Sequence, residues 1–438
     1  MKIKKEKVAL VRIWDQLVGA VAWNDKRAIA SFQYDSDFLR RDLEVAPIMM
    51  PLSKKVYSFP ELKEKTFHGL PGMLADALPD KFGNNLIDLW LEENKRDVSS
   101  FTPVERLLFM GMRGMGALEF KPAYEPRAGA SVAVEMSELV KLANQVLYHR
   151  KELTANFFRD KHEAIKSIIR VGTSAGGNCA KAVIAWNPKT GEIRSGQVNV
   201  PEGFEPWIIK FDGVEDDILG NTLGYGRVEY AYYKMATEAG IKMNPCRLLQ
   251  ENKRAHFMTR RFDRDDNNGK IHMQSLCAMG HFDFQSSGEY GYEQVFRIIL
   301  HLNLGHQAIQ QMYRRMVFNV IARNQDDHTR NIAFLMDKKG VWSLSPAYDL
   351  IWAYNPAGIW TNWHQMSING KRHDFTIRDL ESVAEKYDIL GAKKIREDVL
   401  AAVSMWPKFA RIAGLDGKYS KRIQESHRHI HKRTGKVA

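Results

Sequence analysis

Apolar and polar residues alternate along Val8–Trp14, Leu17–Trp23 and Ala28–Tyr34, with turn residues between, so the period of two predicts three strands in a small β-rich unit reaching to about residue 60. The period then lengthens. Leu74, Leu78, Phe82, Leu86, Leu89 and Trp90 follow helical spacing, broken into short pieces by Gly69, Pro71, Gly72 and Pro79. Gly111–Phe120 reads as a glycine-rich turn running into a strand, and Lys121–Met136, rich in Pro, Ala and Gly, as a boundary. Amphipathic helices are expected over 137–149 and 157–169, then a glycine-rich loop and apolar strand over Val171–Asn187, and a strand in Pro206–Gly213. Gly226–Met243 predicts a helix with Tyr230, Tyr233, Met235 and Ala236 near one side and Gly240 as its stop. Two strands joined by a polar hairpin follow in "CRLLQENKRAHFMTRRFDR". Beyond about Asp265 helices dominate, at Tyr290–Leu302, Ala308–Ala322, Ile377–Tyr387 and in pieces from Ala392, apart from a short β-like stretch near Ile332–Leu344.

This order of elements predicts an α+β chain, β-containing first and mostly helical after. A length of 438 residues suggests three segments: 1–125 with the β-rich subdomain, 126–265 with the glycine loop, and 266–438 as the helical part. Hydrophobic residues at 44% and charged residues at 26% are those of a globular protein, not a disordered one. Three cysteines, Cys179, Cys246 and Cys277, without CxxC spacing, argue against a disulfide framework or a zinc site. No window nears the roughly 20 apolar residues of a membrane span, and the basic start is interrupted at Trp14-Asp15-Gln16, so a cytoplasmic protein without a membrane partner is expected. The net charge of +12 favours anionic partners, although scattered lysines also make an ordinary solvated surface.

Candidate chemistry appears in three places. Gly172, Gly176 and Gly177, interleaved with Thr173, Ser174 and Ala175, would let backbone N–H groups approach an anion, though a glycine-rich turn is as readily structural. Lys181 leaves that loop. Lys210 lies among Trp207, Ile208, Ile209 and Phe211, where a cation needs an anion unless the strand is an edge facing water. Glu229 could pair with it, as a helix glutamate pairs with the strand lysine of protein kinases. Finally, "NQDDHTRN" sets Asp326 and Asn331 at the spacing of a kinase proton acceptor and metal-holding amide. Asp349 in "SPAYDL" then supplies a second oxygen ligand of the kind Mg2+ takes, and His328 would buttress the loop. The plain alternative is a solvated helix end with Asp327 and Arg330 exposed. "MTRRFDR" falls where a kinase hinge would bind adenine, with Phe262 walling the base and Asp263 reaching a ribose; it would serve equally as a strand end.

Taken together, "GLPGMLADALPDKFG", "RGMGALEF", "GTSAGG", "WIIKFD", "RRFDR", "YGYEQVF", "NQDDHTRN" and "SPAYDL" resemble the HipA-type toxin kinases over most of the chain. The resemblance implies a two-lobed kinase-like fold with an added N-terminal β-rich subdomain. It implies an ATP- and Mg2+-dependent serine/threonine kinase, with Asp326 as base, His328 in the catalytic loop, and Asn331 and Asp349 as metal ligands. It further implies Lys210 on the phosphates, Arg260 to Phe262 as hinge, and a Thr173–Gly177 loop in which Ser174 or Thr173 is autophosphorylated. Cys179-Ala180 departs from the Arg-Pro or Gln-Pro that many relatives place before the loop lysine, which bears on Lys181. The implied partners are a HipB-type helix-turn-helix antitoxin, operator DNA through that complex, and an aminoacyl-tRNA synthetase, glutamyl type, as substrate. Two other functions stay open: a catalytically silent corepressor working through an antitoxin, and a small-molecule phosphotransferase. The intact Asp326, Asn331 and Asp349 set favours the kinase. His427, His429 and His431 alternate as a helix would scatter them, so a frayed basic terminus is expected rather than a metal site. Tyr290, Tyr292 and Phe296 read as core anchors, and Gly280–Gly291 as a plain loop.

Overall fold

The structure, a computed structural model, describes residues 5–122, 180–196, 200–216, 220–221 and 224–429, with single positions between 135 and 143. The glycine loop, with Thr173, Ser174, Ala175, Gly176 and Gly177, lies outside the described residues, as do Cys179, His431 and the helix expected over 157–169. Two compact units are present: Met1–Leu223 with Leu249–Gln274 and Met336–Gly340, and Gly224–Leu248 with Ser275–Leu335 and Val341–Ala438.

The first unit holds two antiparallel sheets. In the N-terminal sheet, β1 (Val8–Ile13), β2 (Gln16–Asn24), β3 (Ile29–Tyr34), β4 (Val56–Tyr57) and β5 (Leu118–Lys121) run in the order β4-β3-β2-β1-β5. Alternation does its work here: Ala9, Val11 and Ile13 of β1 are buried while Val8 and Leu10 are exposed. Gly19 is required by space, since a Cβ there would sit 2.1 Å from the Gln33 carbonyl oxygen of the neighbouring strand. The helix Lys81–Glu93 starts at Asp80, whose carboxylate accepts from the Gly83 amide at 2.8 Å.

The second sheet contains β6 (Lys181–Trp186), β7 (Ile193–Ser195) and β8 (Glu205–Lys210). A two-residue ladder pairs β9 (Glu215–Asp216) with β10 (Gly220–Asn221) outside it. With β11 (Cys246–Glu251), which enters this unit at Leu249, and β12 (Arg254–Arg260), the order is β11-β12-β8-β6-β7. Ala182, Ile184, Trp207 and Ile209 pack on Phe82, Leu86, Ile87 and Leu91 of the helix, with Leu139, Val140 and Ala143 in the same cluster.

The second unit is mostly helical: Tyr225–Glu238, Leu276–Gly280, Tyr292–His301, His306–Ile321, Ile377–Lys386, Ala392–Ser404, Trp406–Ala413 and Gly417–Ser426. Its short strands are Ala333–Met336, whose last residue counts with the first unit, and Trp342–Leu344. The class is α+β. In the helix Tyr225–Glu238 the expected Met235 and Ala236 are buried, but Tyr232 is fully buried in place of Tyr230 and Tyr233, which are only half-buried. Val228, Tyr232 and Met235 form the true inward stripe, spaced four and three apart. The C-terminus is also corrected. His427 is not frayed but buried against Tyr232 and Trp406, its Nε2 3.1 Å from Tyr232 Oη.

Candidate active site

The segment Asn324–Asn331 leaves the helix His306–Ile321 and ends in a single 3-10 turn, Thr329–Asn331. The five-residue spacing has a local cause. Asn331 Nδ2 donates to the Asp326 carbonyl oxygen at 2.8 Å, closing the loop on itself and leaving the amide oxygen for another partner. Tyr348 Oη donates to the Arg330 carbonyl at 2.6 Å, so the residue after it, Asp349, is brought to the same loop. Asp349 has φ of 52°, the left-handed region that costs an L-residue about 1 kcal/mol or more and that Asp tolerates better than most.

Asp326 keeps 38% of its side chain exposed, and its Oδ1 accepts from Trp360 Nε1 at 2.6 Å. Burial raises its pKa above the ordinary carboxylate value, and the Asp349 and Asp327 charges push the same way. His328 and the Trp360 indole oppose them. His328 Nε2 is 3.9 Å from Asp326 Oδ1, and its ring packs on Phe284 at 5.3 Å. Thr329 Oγ1 donates to the Phe282 carbonyl at 2.8 Å, and Phe282 stacks on Tyr290 at 4.7 Å. The stretch Gly280–Gly291 therefore packs against the Asn324–Asn331 segment.

Asp327 speaks against the plain alternative of a solvated helix end. It is 3% exposed, not solvated, and accepts from Tyr292 Oη at 2.8 Å, the Gln365 amide at 2.8 Å and His364 Nδ1 at 2.9 Å. Asn319 Nδ2 donates to Tyr292 Oη at 2.9 Å, so Tyr292 is a polar link as well as a core anchor. None of Trp360, His364 or Gln365 was singled out in the sequence. The adjacency of Asp327 to Asp326 was a visible sign, but its partners lie too far along the chain to be read.

In the first unit Lys181 and Lys210 are cross-strand partners on β6 and β8. Lys181 is buried, its Nζ 3.9 Å from Asp80 Oδ2; Lys210 is half-buried, its Nζ 5.8 Å from the Phe257 ring. Arg260 closes β12 and lies 3.7 Å from Asp266; the Arg261 amide donates to the Pro206 carbonyl at 3.0 Å, and Phe262 is half-buried. Asp263 corrects its expected ribose contact. It is fully buried, with its oxygens taken by Arg261 at 2.9 and 2.7 Å, Arg264 at 2.7 Å and the Gly116 amide at 2.7 Å. Burial alone would raise its pKa, but the two guanidiniums hold it well below the usual range. The "RGMG" turn and the "RRFDR" stretch are thus one ionic cluster, and Gly116, at φ 74°, brings its backbone there. Glu229 is buried in the helix Tyr225–Glu238 of the other unit.

Among the described residues no group of three His, Cys, Asp or Glu side chains comes together to hold a metal. The Asp326, Asn331 and Asp349 set is instead an open one. It offers hard oxygen donors on a loop tied by Asn331 and Tyr348, the donor type that Mg2+ takes while sharing its shell with phosphate and water.

Residues 9–121 match the family described as the HipA N-terminal domain, and residues 173–408, over half of the chain, the HipA-like C-terminal domain. A Haemophilus influenzae protein provisionally described as a kinase is 29% identical over 136 residues. That match takes in 28% of this chain and 40% of the relative, so the chain spans well under half the length of that protein. The HipA of Shewanella oneidensis, solved with HipB and its operator DNA, superposes with a TM-score of 0.63 at 14% identity, covering 95% of this chain and 96% of that one. This is a likeness of fold. The chain belongs to the HipA family.

Proposed function

We propose that the protein is an ATP- and Mg2+-dependent serine/threonine protein kinase acting as the toxin of a toxin–antitoxin pair in the cytoplasm. The observation that carries the reading is the closed loop. Asn331 clamps the backbone of Asp326, and the left-handed Asp349 stands close enough to perturb its carboxyl. Asp326 takes the proton of the substrate hydroxyl as the hydroxyl oxygen bonds to the γ-phosphorus, and the bond from that phosphorus to the bridging oxygen of ADP breaks. Asn331 and Asp349 would hold Mg2+, which when bound neutralises phosphate charge. His328 braces the loop through Phe284. Lys210 would serve the phosphates, as would Lys181, Glu229 and the residues Thr173 to Gly177, and the backbone of Arg260 to Phe262 would take adenine. Phosphorylation of Ser174 or Thr173 would switch the enzyme off by putting negative charge beside the phosphates.

The partners in this reading are a helix-turn-helix antitoxin and, through it, operator DNA, and the substrate is an aminoacyl-tRNA synthetase, glutamyl type. The assembly of the Shewanella protein and the +12 charge support the DNA partner. The test is labelling from radioactive ATP with Mg2+, alone and with cell extract. Wild type is expected to label itself or an extract protein, and Asp326→Asn to lose at least ~100-fold in rate. Equal labelling by both would remove Asp326 from its role. Asp349→Asn is expected to raise the Mg2+ concentration for half-maximal labelling by ~10-fold or more; an unchanged requirement would exclude it as a ligand.

A further inference from the structure

Asp327 sits beside the proposed base, yet its side chain is 1% exposed, as is that of His364. His364 Nδ1 is 2.9 Å from Asp327 Oδ2. Across the ring, His364 Nε2 is 2.9 Å from Arg428 Nη1, which also donates to the Val320 carbonyl at 2.8 Å. A guanidinium has donors only, so Nε2 must accept. The imidazole is therefore neutral, with its single proton on Nδ1 and directed at Asp327. The other groups facing the ring agree with this state. Arg323 acts on it electrostatically, Phe375 packs edge-on at 5.3 Å, and Arg372 Nε donates to the His364 carbonyl at 2.6 Å. Burial and the two arginine charges lower the His364 pKa against the pull of Asp327. Arg428 is itself held, because its neighbour His427 is buried against Trp406 and Tyr232.

We propose that Arg428 is a positioning residue for the catalytic loop: by donating to His364 Nε2 it selects the tautomer that holds Asp327, and so aligns the adjoining Asp326. Arg428 thereby acts, through His364, on the loop that carries Asp326. The inference rests on the reading of Asp326 as proton acceptor.

The test pairs a structural with a kinetic measurement. Nitrogen-15 NMR of the labelled full-length protein is expected to find His364 neutral with the proton on Nδ1 from pH 7.5 down to 5.5. In Arg428→Met, with one of the two opposing arginine charges gone, the ring is expected to titrate at a higher pH than in the wild type. The same variant is expected to lose ~10- to 100-fold in kcat with KM for ATP within ~2-fold, because misplacing a base impairs the transition state and not nucleotide binding. It should also acquire a pH dependence near the new His364 titration. Arg428→Lys keeps a donor and should recover most of the rate. Should Arg428→Met fail to fold, Arg428→Lys decides: His364 still protonated on Nδ1 is expected, and a proton on Nε2 with wild-type kcat overturns the proposal. A wild-type His364 protonated on Nε2, or a folded Arg428→Met with wild-type kcat and pH profile, overturns the proposal while leaving the base assignment intact. Undiminished labelling by Asp326→Asn would overturn the base assignment instead, and with it the route from Arg428 to catalysis.

Discussion

Asp263 shows how one buried carboxylate can organise a motif. Its charge is satisfied by Arg261, Arg264 and the Gly116 amide, and nothing of it reaches solvent. Neutralising it leaves two buried guanidiniums without their anion. Asp263→Asn is therefore expected to destabilise by ~3 kcal/mol, measurable as a lowered urea midpoint. His272 gives a pH prediction. Its Nε2 lies 2.9 Å from the Val45 carbonyl, and burial pushes the imidazole down to about 4. An unfolded histidine protonates near ~6.5, so between those values the unfolded state binds the extra proton. The stabilising effect is present above ~6.5 and is lost as pH falls toward about 4, at about 1.4 kcal/mol per pH unit. His281, lowered to about 4, and His427, to about 3, act in the same sense. Urea midpoints from pH 7.5 to 5 should fall less steeply for His272→Gln than for wild type.

Among the elements, the helix Pro103–Met110 owes its start to side chains. Thr102 accepts from the Glu105 amide at 3.2 Å, and Glu105 Oε2 accepts from the Thr102 amide at 2.9 Å. Glu105 is fully buried and also pairs with Arg96 at 2.6 Å. Thr102→Ala is expected to cost ~1 kcal/mol in chemical denaturation. Helices with strong apolar periodicity, such as His306–Ile321 and Ile377–Lys386, were legible within two residues, because their inward stripe repeats over several turns. The strand Ile193–Ser195 and the helix Leu276–Gly280 were not, being three and five residues long. In so short a stretch tertiary contacts override any pattern. The glycines of "RGMG" were visible, but that they serve Asp263, 147 residues away, was not.

Considered as a whole, the chain carries a net charge of +12. Among the described residues no helix is long and apolar enough to cross a membrane. The purified chain is expected to bind DNA weakly, with little sequence preference and an affinity that falls steeply from 50 to 200 mM salt, as phosphate contacts dictate. On the proposed function, specific, salt-resistant shifts of operator DNA should need the proposed antitoxin. A sequence-specific shift by the chain alone would place base-reading residues in this protein. The two family matches, over residues 9–121 and 173–408, take in both the N-terminal sheet and most of the helical unit.

Periodicity and short-range spacing decided the class of the fold, the run of helices after residue 265, and the loop in which Asp326, His328 and Asn331 lie, because each depends on neighbours within a few positions. Three-dimensional packing alone decided which polar groups those residues meet. Trp360 reaches Asp326 across 34 positions, His364 reaches Asp327 across 37, and Arg428 reaches His364 across 64. Such contacts have no period and no fixed spacing; they exist because a buried donor or acceptor must find a partner, and only the folded chain determines which one is near.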